Sequence, residues 1–192
     1  LKSSSISQEQ PLRFGYTGTL SNQKGVDVLL HAFASLPTSI RRQATLKVYG
    51  DPNRDSETLS RVNKWRNKFG SIHEITFEGP YSSDQLTQIH ADLGVVVVRS
   101  VWYENRQLTI LEALIRGNPV IGSKIGGIPE LISNESKCGW VFPPGDSESL
   151  MKTLQTIISD PDEINRRRDN IPSIATLDEE TTNLEKLYRM NQ

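Results

Sequence analysis

At 192 residues with a formal net charge of −1, the chain has the size of one ordinary or slightly extended domain and can bury a core without covalent staples. Charged residues make up 23% without a basic excess, which speaks against a surface built for nucleic acid or anionic membrane. The single Cys138 excludes an internal disulfide, and its place at the start of an apparent strand fits packing in a reduced compartment better than catalysis. No apolar run reaches the roughly eighteen residues that a bilayer span requires.

In chain order, residues 1–10 (LKSSSISQEQ) have the polar, Ser-rich composition of a linker and nothing of a signal peptide; the absence of an initial Met suggests a fragment of something longer. Leu12 to Tyr16 reads as a first strand, ending in Thr17-Gly18-Thr19, where Gly18 allows close backbone approach to a ligand. After the polar turn Ser21 to Gly25, the residues Val26, Leu29, Leu30, Phe33 and Leu36 recur at helical spacing until Pro37 stops them. A second strand, Thr45 to Gly50, leads through an Asp51-Pro52-Asn53 turn to a helix expected to bury Leu59, Val62, Trp65 and Phe69. Trp65 at that spacing reads as core, not as a sugar platform.

His73 to Gly79 forms a third strand, and Pro80-Tyr81-Ser82 opens the loop to a short helix ending near Asp92. The β-branched run Val95 to Val98 reads as a strand buried on both faces, hence parallel-sheet material. A polar loop, Ser100 to Gln107, precedes a helix from Leu108 to Ile115 that stops at Gly117-Asn118-Pro119, and a short strand follows at Pro119 to Gly122. Gly126 to Glu130 starts another helix, Gly139 to Phe142 forms the last strand, and Asp146 is a suitable N-cap for a helix with Leu150, Leu154, Ile157 and Ile158 inward. Arg166-Arg167-Arg168 spreads round a helix and reads as a solvated surface. An amphipathic segment from Leu177 to Met190 closes the chain. Strands alternating with helices imply an α/β, doubly wound parallel sheet of Rossmann-like type, with its ligand crevice at the carboxyl ends of the strands. Gly18, Gly50, Gly79 and Arg99–Ser100 fall at such ends, and Gly79 and Tyr81 are taken as ligand contacts.

The segment from Leu93 to Leu131 carries the chemistry. Free amides at a helix start, around Leu108 and Thr109, can cradle a diphosphate. Glu112 lies four residues further on, roughly 6 Å at 1.5 Å per residue, about the reach from a phosphate to the ribose diol of the same nucleotide. An ionised carboxylate only accepts hydrogen bonds and so suits sugar hydroxyls; Glu104, on the loop side, could meet the sugar at the other end. From spacing alone, both carboxylates also read as solvated surface charges. His31, His73 and His90 have no metal-ligand spacing, and no Ser-His-Asp or Cys-His set is evident. The Gly122…Gly126-Gly127 stretch lacks dinucleotide-binding spacing.

Glu104 and Glu112 within WYENRQLTILEAL, followed by GNPVIGSKIGGIPEL, resemble the signature of retaining GT-B glycosyltransferases of the glycogen-synthase-like family 4 group. GYTGTLSNQKGVDVLLHAF upstream resembles that family's first strand, Gly loop and helix, and CGWVFPPGDSESL downstream its last strand and following helix. The resemblance implies one half of a GT-B fold: residues 11–160 as the Rossmann-like donor-binding domain and residues 161–192 as a helical segment packing toward a missing N-terminal acceptor domain. It implies a retaining hexosyltransferase of polysaccharide biosynthesis, acting on a glycan, lipid-linked or small-molecule acceptor. A non-catalytic sugar-nucleotide-binding module or a sugar-nucleotide epimerase-like domain are the alternatives.

By the same resemblance, Lys24 is the phosphate-binding lysine and Glu104 a donor-positioning or charge-stabilising group. The donor contacts are Glu112, Gly18, Thr19, Arg106, Gln107, Leu108, Thr109, Gly79 and Tyr81. The family commonly has an arginine where this chain has Thr19, with Arg106 and Arg99 as candidates to compensate. The implied partner is a nucleotide sugar, a UDP-sugar first and GDP- or ADP-sugars next, with no cofactor or metal. No nucleic acid or membrane span is implied; peripheral membrane contact through the missing half is left open, and a cytoplasmic location is expected.

Overall fold

A computed structural model describes residues 10–21, 25–98, 108–133 and 137–173. Six strands form one sheet: β1 (Leu12–Thr17), β2 (Ala44–Tyr49), β3 (Ile75–Gly79), β4 (Val95–Val98), β5 (Val120–Ser123) and β6 (Gly139–Phe142). They lie in the order β3-β2-β1-β4-β5-β6, and every neighbouring pair is parallel. This is the doubly wound α/β sheet expected from the sequence. Every residue of β4 and β5 is buried, which is why the four valines of β4 run on without polar alternation.

Eight helices connect and cover the described strands: α1 (Val26–Ala34), α2 (Thr38–Arg41), α3 (Ser56–Phe69), α4 (Leu86–Asp92), α5 (Leu108–Ile115), α6 (Ile128–Ile132), α7 (Ser147–Ser159) and α8 (Asp162–Asp169). One layer of core joins Phe14, Val95, Val97 and Ile121 to Leu29, Leu30 and Phe33 of α1 and to Leu150, Leu154 and Ile157 of α7. The opposite layer joins Val96, Val98 and Val120 to Ile110, Ala113 and Leu114 of α5 and to Ile128 and Ile132 of α6. Strand alternation divides the valines of β4 between the two layers. Trp65 and Cys138 are both core residues, as their positions suggested.

Local chemistry sets the helix starts. Asp55 caps α3 by accepting the Thr58 N–H at 2.7 Å, and Asp146 caps α7 by accepting the Ser149 N–H at 2.9 Å. Both carboxyls are held below the usual carboxylate range, Asp55 chiefly by the Thr58 amide and Asp146 chiefly by the Ser149 hydroxyl. Two expectations on helices need correction. The buried stripe of α3 is Thr58, Val62, Trp65 and Phe69, while Leu59 is 39% exposed. Spacings of four, three and four keep those residues on one line, and Leu59 lies about 100° round from Thr58. Pro37 ends α1 as expected but also starts α2, since a residue without an N–H and with a fixed φ suits a helix entry.

The arginine triplet also departs from the expected solvated surface. Ile164 of α8 is buried in the core, Arg167 donates to the carbonyl of Gly139 at 3.0 Å and lies over the Trp140 ring, and Arg168 donates to the carbonyl of Gly117 at 3.0 Å. Only Arg166 faces outward, paired with Glu163 and Asp160. Asp160-Pro161-Asp162, an Asp-x-Asp sequence, therefore sits with α8 at the amino end of β5 and β6, opposite the strands' carboxyl ends.

Between α4 and β5, Asn118 donates to the carbonyls of His90 at 3.0 Å and Leu93 at 2.7 Å, and its own oxygen lies 3.1 Å from His90 Nδ1. Burial, reinforced by the Arg116 charge, lowers the His90 pKa from 6.5 to about 4, so the folded protein holds this imidazole neutral. The unfolded chain takes up the proton first. His90 therefore contributes stability that is intact above pH 6.5 and is lost as the pH falls toward 4, about 3 kcal/mol in all. Urea midpoints of the wild type are expected to fall more steeply from pH 6.5 to 4.5 than those of His90→Gln; parallel slopes would assign the acid sensitivity elsewhere.

Candidate active site

The carboxyl ends of β1, β2 and β3 enclose a cavity of about 230 Å³, a volume suited to part of a nucleotide. β1 contributes Gly18 and Thr19, the turn after β2 contributes Gly50, Asp51 and Arg54, and the loop after β3 contributes Pro80 and Tyr81. Gly50 makes this closeness feasible: a Cβ there would stand 2.4 Å from the carbonyl oxygen of Gly18. Gly79 has φ of 86°, which turns the chain out of β3 so that Pro80 and Tyr81 reach the same cavity.

The loop after β1 is held from three directions. The Tyr16 hydroxyl donates to the carbonyl of Thr19 at 2.7 Å, Arg54 Nη1 donates to Thr19 Oγ1 at 3.3 Å, and Arg61 Nη1 donates to the carbonyl of Leu20 at 2.9 Å. The turn carrying Arg54 is itself fixed, since Asp51 Oδ1 accepts the Asn53 N–H at 2.8 Å and Asp55 caps α3 immediately afterward.

Tyr81 links this cavity to α5. Its ring meets Tyr49 edge-on with centroids 6.3 Å apart. Burial raises the pKa of its phenol, and the Glu112 carboxylate raises it further by disfavouring a second negative charge nearby; the adjacent Thr17 hydroxyl pulls the other way. Thr17 Oγ1 is buried and makes no hydrogen bond of good geometry among the described residues. Glu112 is half-buried on α5, one turn beyond Leu108 and Thr109, and Leu108 is 71% exposed.

Gly18, Thr19 and Tyr81 therefore share one cavity, Gly79 immediately precedes it, and Glu112 is in electrostatic reach of Tyr81. Leu108 and Thr109 open the helix that carries Glu112. Lys24, Glu104, Arg106 and Gln107 lie outside the described residues, as does Arg99. Sequence reasoning missed Thr17, Asp51, Pro80 and Arg54. The strand-end rule could have found Asp51 and Pro80, whereas nothing in the sequence distinguishes Arg54 from any turn arginine.

Residues 1–173 match the family described as Glycosyl transferases group 1. The chain belongs to that family. Among relatives of known activity, the MMP alpha-(1->4)-mannosyltransferase of Mycolicibacterium hassiacum is 28% identical over 147 residues, which are 77% of this chain and 34% of the relative. The crystal structure of HepE from Anabaena in complex with UDP-glucose superposes with a TM-score of 0.72 at 25% identity, over 84% of this chain and 43% of HepE. The C-terminal domain of a group 1 family protein, LpcC of Francisella tularensis, superposes with a TM-score of 0.70 at 24% identity over 84% of each chain, a likeness of fold. The chain thus has the α/β fold of the GT-B glycosyltransferases and spans about a third of the length of the curated relatives it matches. Among the described residues of this glycosyltransferase-family domain, no helix is long and apolar enough to cross a membrane.

The Tyr81–Glu112 proximity is testable without a ligand. Replacing Glu112 by Gln removes the negative charge and should lower the pH at which Tyr81 ionises, measured as a spectrophotometric difference against Tyr81→Phe in each background. An unchanged Tyr81 transition would place Glu112 out of reach of the cavity.

Proposed function

We propose that this domain is the donor-binding half of a retaining glycosyltransferase and takes a nucleoside diphosphate sugar, most simply a UDP-sugar. What supports this reading is that Tyr81, which lines the cavity together with Gly18 and Thr19, lies within electrostatic reach of Glu112, the carboxylate we assign to the ribose diol. On this reading the first-turn amides of Leu108 and Thr109 receive the diphosphate, and Glu112 one turn later accepts from ribose hydroxyls. The HepE complexes with UDP and UDP-glucose support the choice of base.

In this reading Lys24 offsets the charge that builds on the departing diphosphate. Glu104 positions the sugar or stabilises an oxocarbenium-like transition state, and Arg106 and Gln107 belong to the same donor loop. The acceptor attacks from the face that the diphosphate leaves, without a glycosyl-enzyme bond. The acceptor itself is held by a second domain, which completes a cleft between two sheets. A donor bound to this half alone stays open to water, where electrostatics are screened and no acceptor is oriented.

The expected donor affinity of the isolated chain is on the order of 0.1–1 mM. Glu112→Ala should weaken UDP binding by about tenfold or more, the loss of one or two charge-assisted hydrogen bonds, and Glu112→Gln by less. Calorimetry measures the first. An assay with labelled sugar nucleotide and a panel of acceptors should show transfer only when an N-terminal acceptor domain is supplied. Efficient, specific transfer by the isolated chain would refute the half-enzyme reading, and unchanged affinity in Glu112→Ala would remove that residue from the donor site.

A further inference from the structure

Thr19 leaves a neutral side chain on the wall of the cavity, and the structure places a cation beside it on the same wall. Arg54 Nη1 donates to Thr19 Oγ1 at 3.3 Å, and both residues line the cavity. A hydroxyl whose lone pair is engaged by a guanidinium keeps its own proton free to donate. Arg54 has five N–H donors, and among the described residues only one of them has a hydrogen-bond partner, Thr19. The pair therefore presents one hydroxyl and several guanidinium protons to the same space. Its position is fixed through the chain: the Asp51–Asn53 turn and the Asp55 cap hold the backbone on either side of Arg54, and Tyr16 holds the carbonyl of Thr19. The opposing charges are Asp51, whose Oδ1 already accepts the Asn53 N–H, and Asp55, whose carboxylate is engaged by the Thr58 N–H.

We propose that Arg54 and Thr19 act together as an anion clamp for the diphosphate of the donor, with the positive charge supplied from the turn after β2 across the loop after β1. This rests on the donor-site reading above. Arg54 is then a binding residue specific to the phosphate end of the ligand. Thr19 serves as the hydroxyl donor that it polarises, and the two are energetically coupled.

The test is calorimetry on the full chain with two probes, UDP and uridine, which differ only in the diphosphate. Arg54→Ala should weaken UDP by about tenfold to a hundredfold, the range of one charge-assisted hydrogen bond, and leave uridine within about twofold. Arg54→Lys should recover part of the loss because it keeps the charge and gives up the planar fork. Thr19→Val should weaken UDP in the wild type but much less in the Arg54→Ala background, the mark of a coupled pair. Thr19→Arg should restore UDP binding to Arg54→Ala. Raising the salt should reduce the UDP difference between wild type and Arg54→Ala.

Arg54→Ala without effect on UDP, or with equal effects on UDP and uridine, would overturn the clamp. Glu112→Ala separates the two readings. If it weakens both probes, the donor site stands whatever Arg54 does; if wild type binds neither probe, the donor site and the clamp fall together. Melting curves of each variant check that the fold is intact, and the uridine titration provides a second check on the same sample.

Discussion

Everything at the ligand end depends on the reversal of strand order at β1. From that strand the chain lays β2 and β3 to one side and β4, β5 and β6 to the other. Connections that leave a parallel sheet in opposite directions cannot fill the space above the point of divergence, so a crevice opens there. Here the loop after β1 turns toward β2 and meets the backbone of Gly50, closing one wall, while Pro80 and Tyr81 from the loop after β3 supply another. Tyr81 comes from the outermost of the strands on the first side and still reaches the Glu112 side of the crevice. One topological fact brings together residues more than sixty positions apart in sequence, from Gly18 to Tyr81.

The sheet was legible because its central strand β4 is buried on both faces and its helices carry regular apolar stripes, so Val95–Val98 and Leu150–Ile158 could hardly be read otherwise. Strand ends could be placed from glycines. What the sequence hid were interactions between side chains and distant backbone. Arg167 and Arg168 look like surface charge until the carbonyls of Gly139, at the start of β6, and Gly117, in the turn before β5, are set beside them. Arg54 was invisible for the same reason, since its partner Thr19 is 35 residues away. Leu59 shows a finer limit: three residues of a stripe define a line on a helix only to within about 100°, and Thr58 and Leu59 both satisfy it loosely.

The two ends of the sheet differ in character. At the carboxyl end, the polar atoms are presented to a cavity and held from behind, Thr19 by Tyr16 and Arg54, Leu20 by Arg61. At the amino end they are consumed within the fold: Asn118 uses its amide on α4, and Asp92 at the end of that helix holds Lys47 at 2.7 Å and also Arg13. The division follows from direction. Parallel strands all finish at one edge, so binding groups accumulate there, and the opposite edge is left to fasten helices.

That fastening has a mechanical meaning. α8 grips the starts of two strands through Arg167 and Arg168 and anchors itself in the core through Ile164, so it behaves as a clasp on the amino edge. A pull on α8 is taken up first where Arg167 and Arg168 hold the carbonyls of Gly139 and Gly117, at the amino edge of the sheet. The loops of the crevice, hung from the other edge, are spared that load. A load applied at α8 therefore enters the domain at the edge opposite the crevice loops.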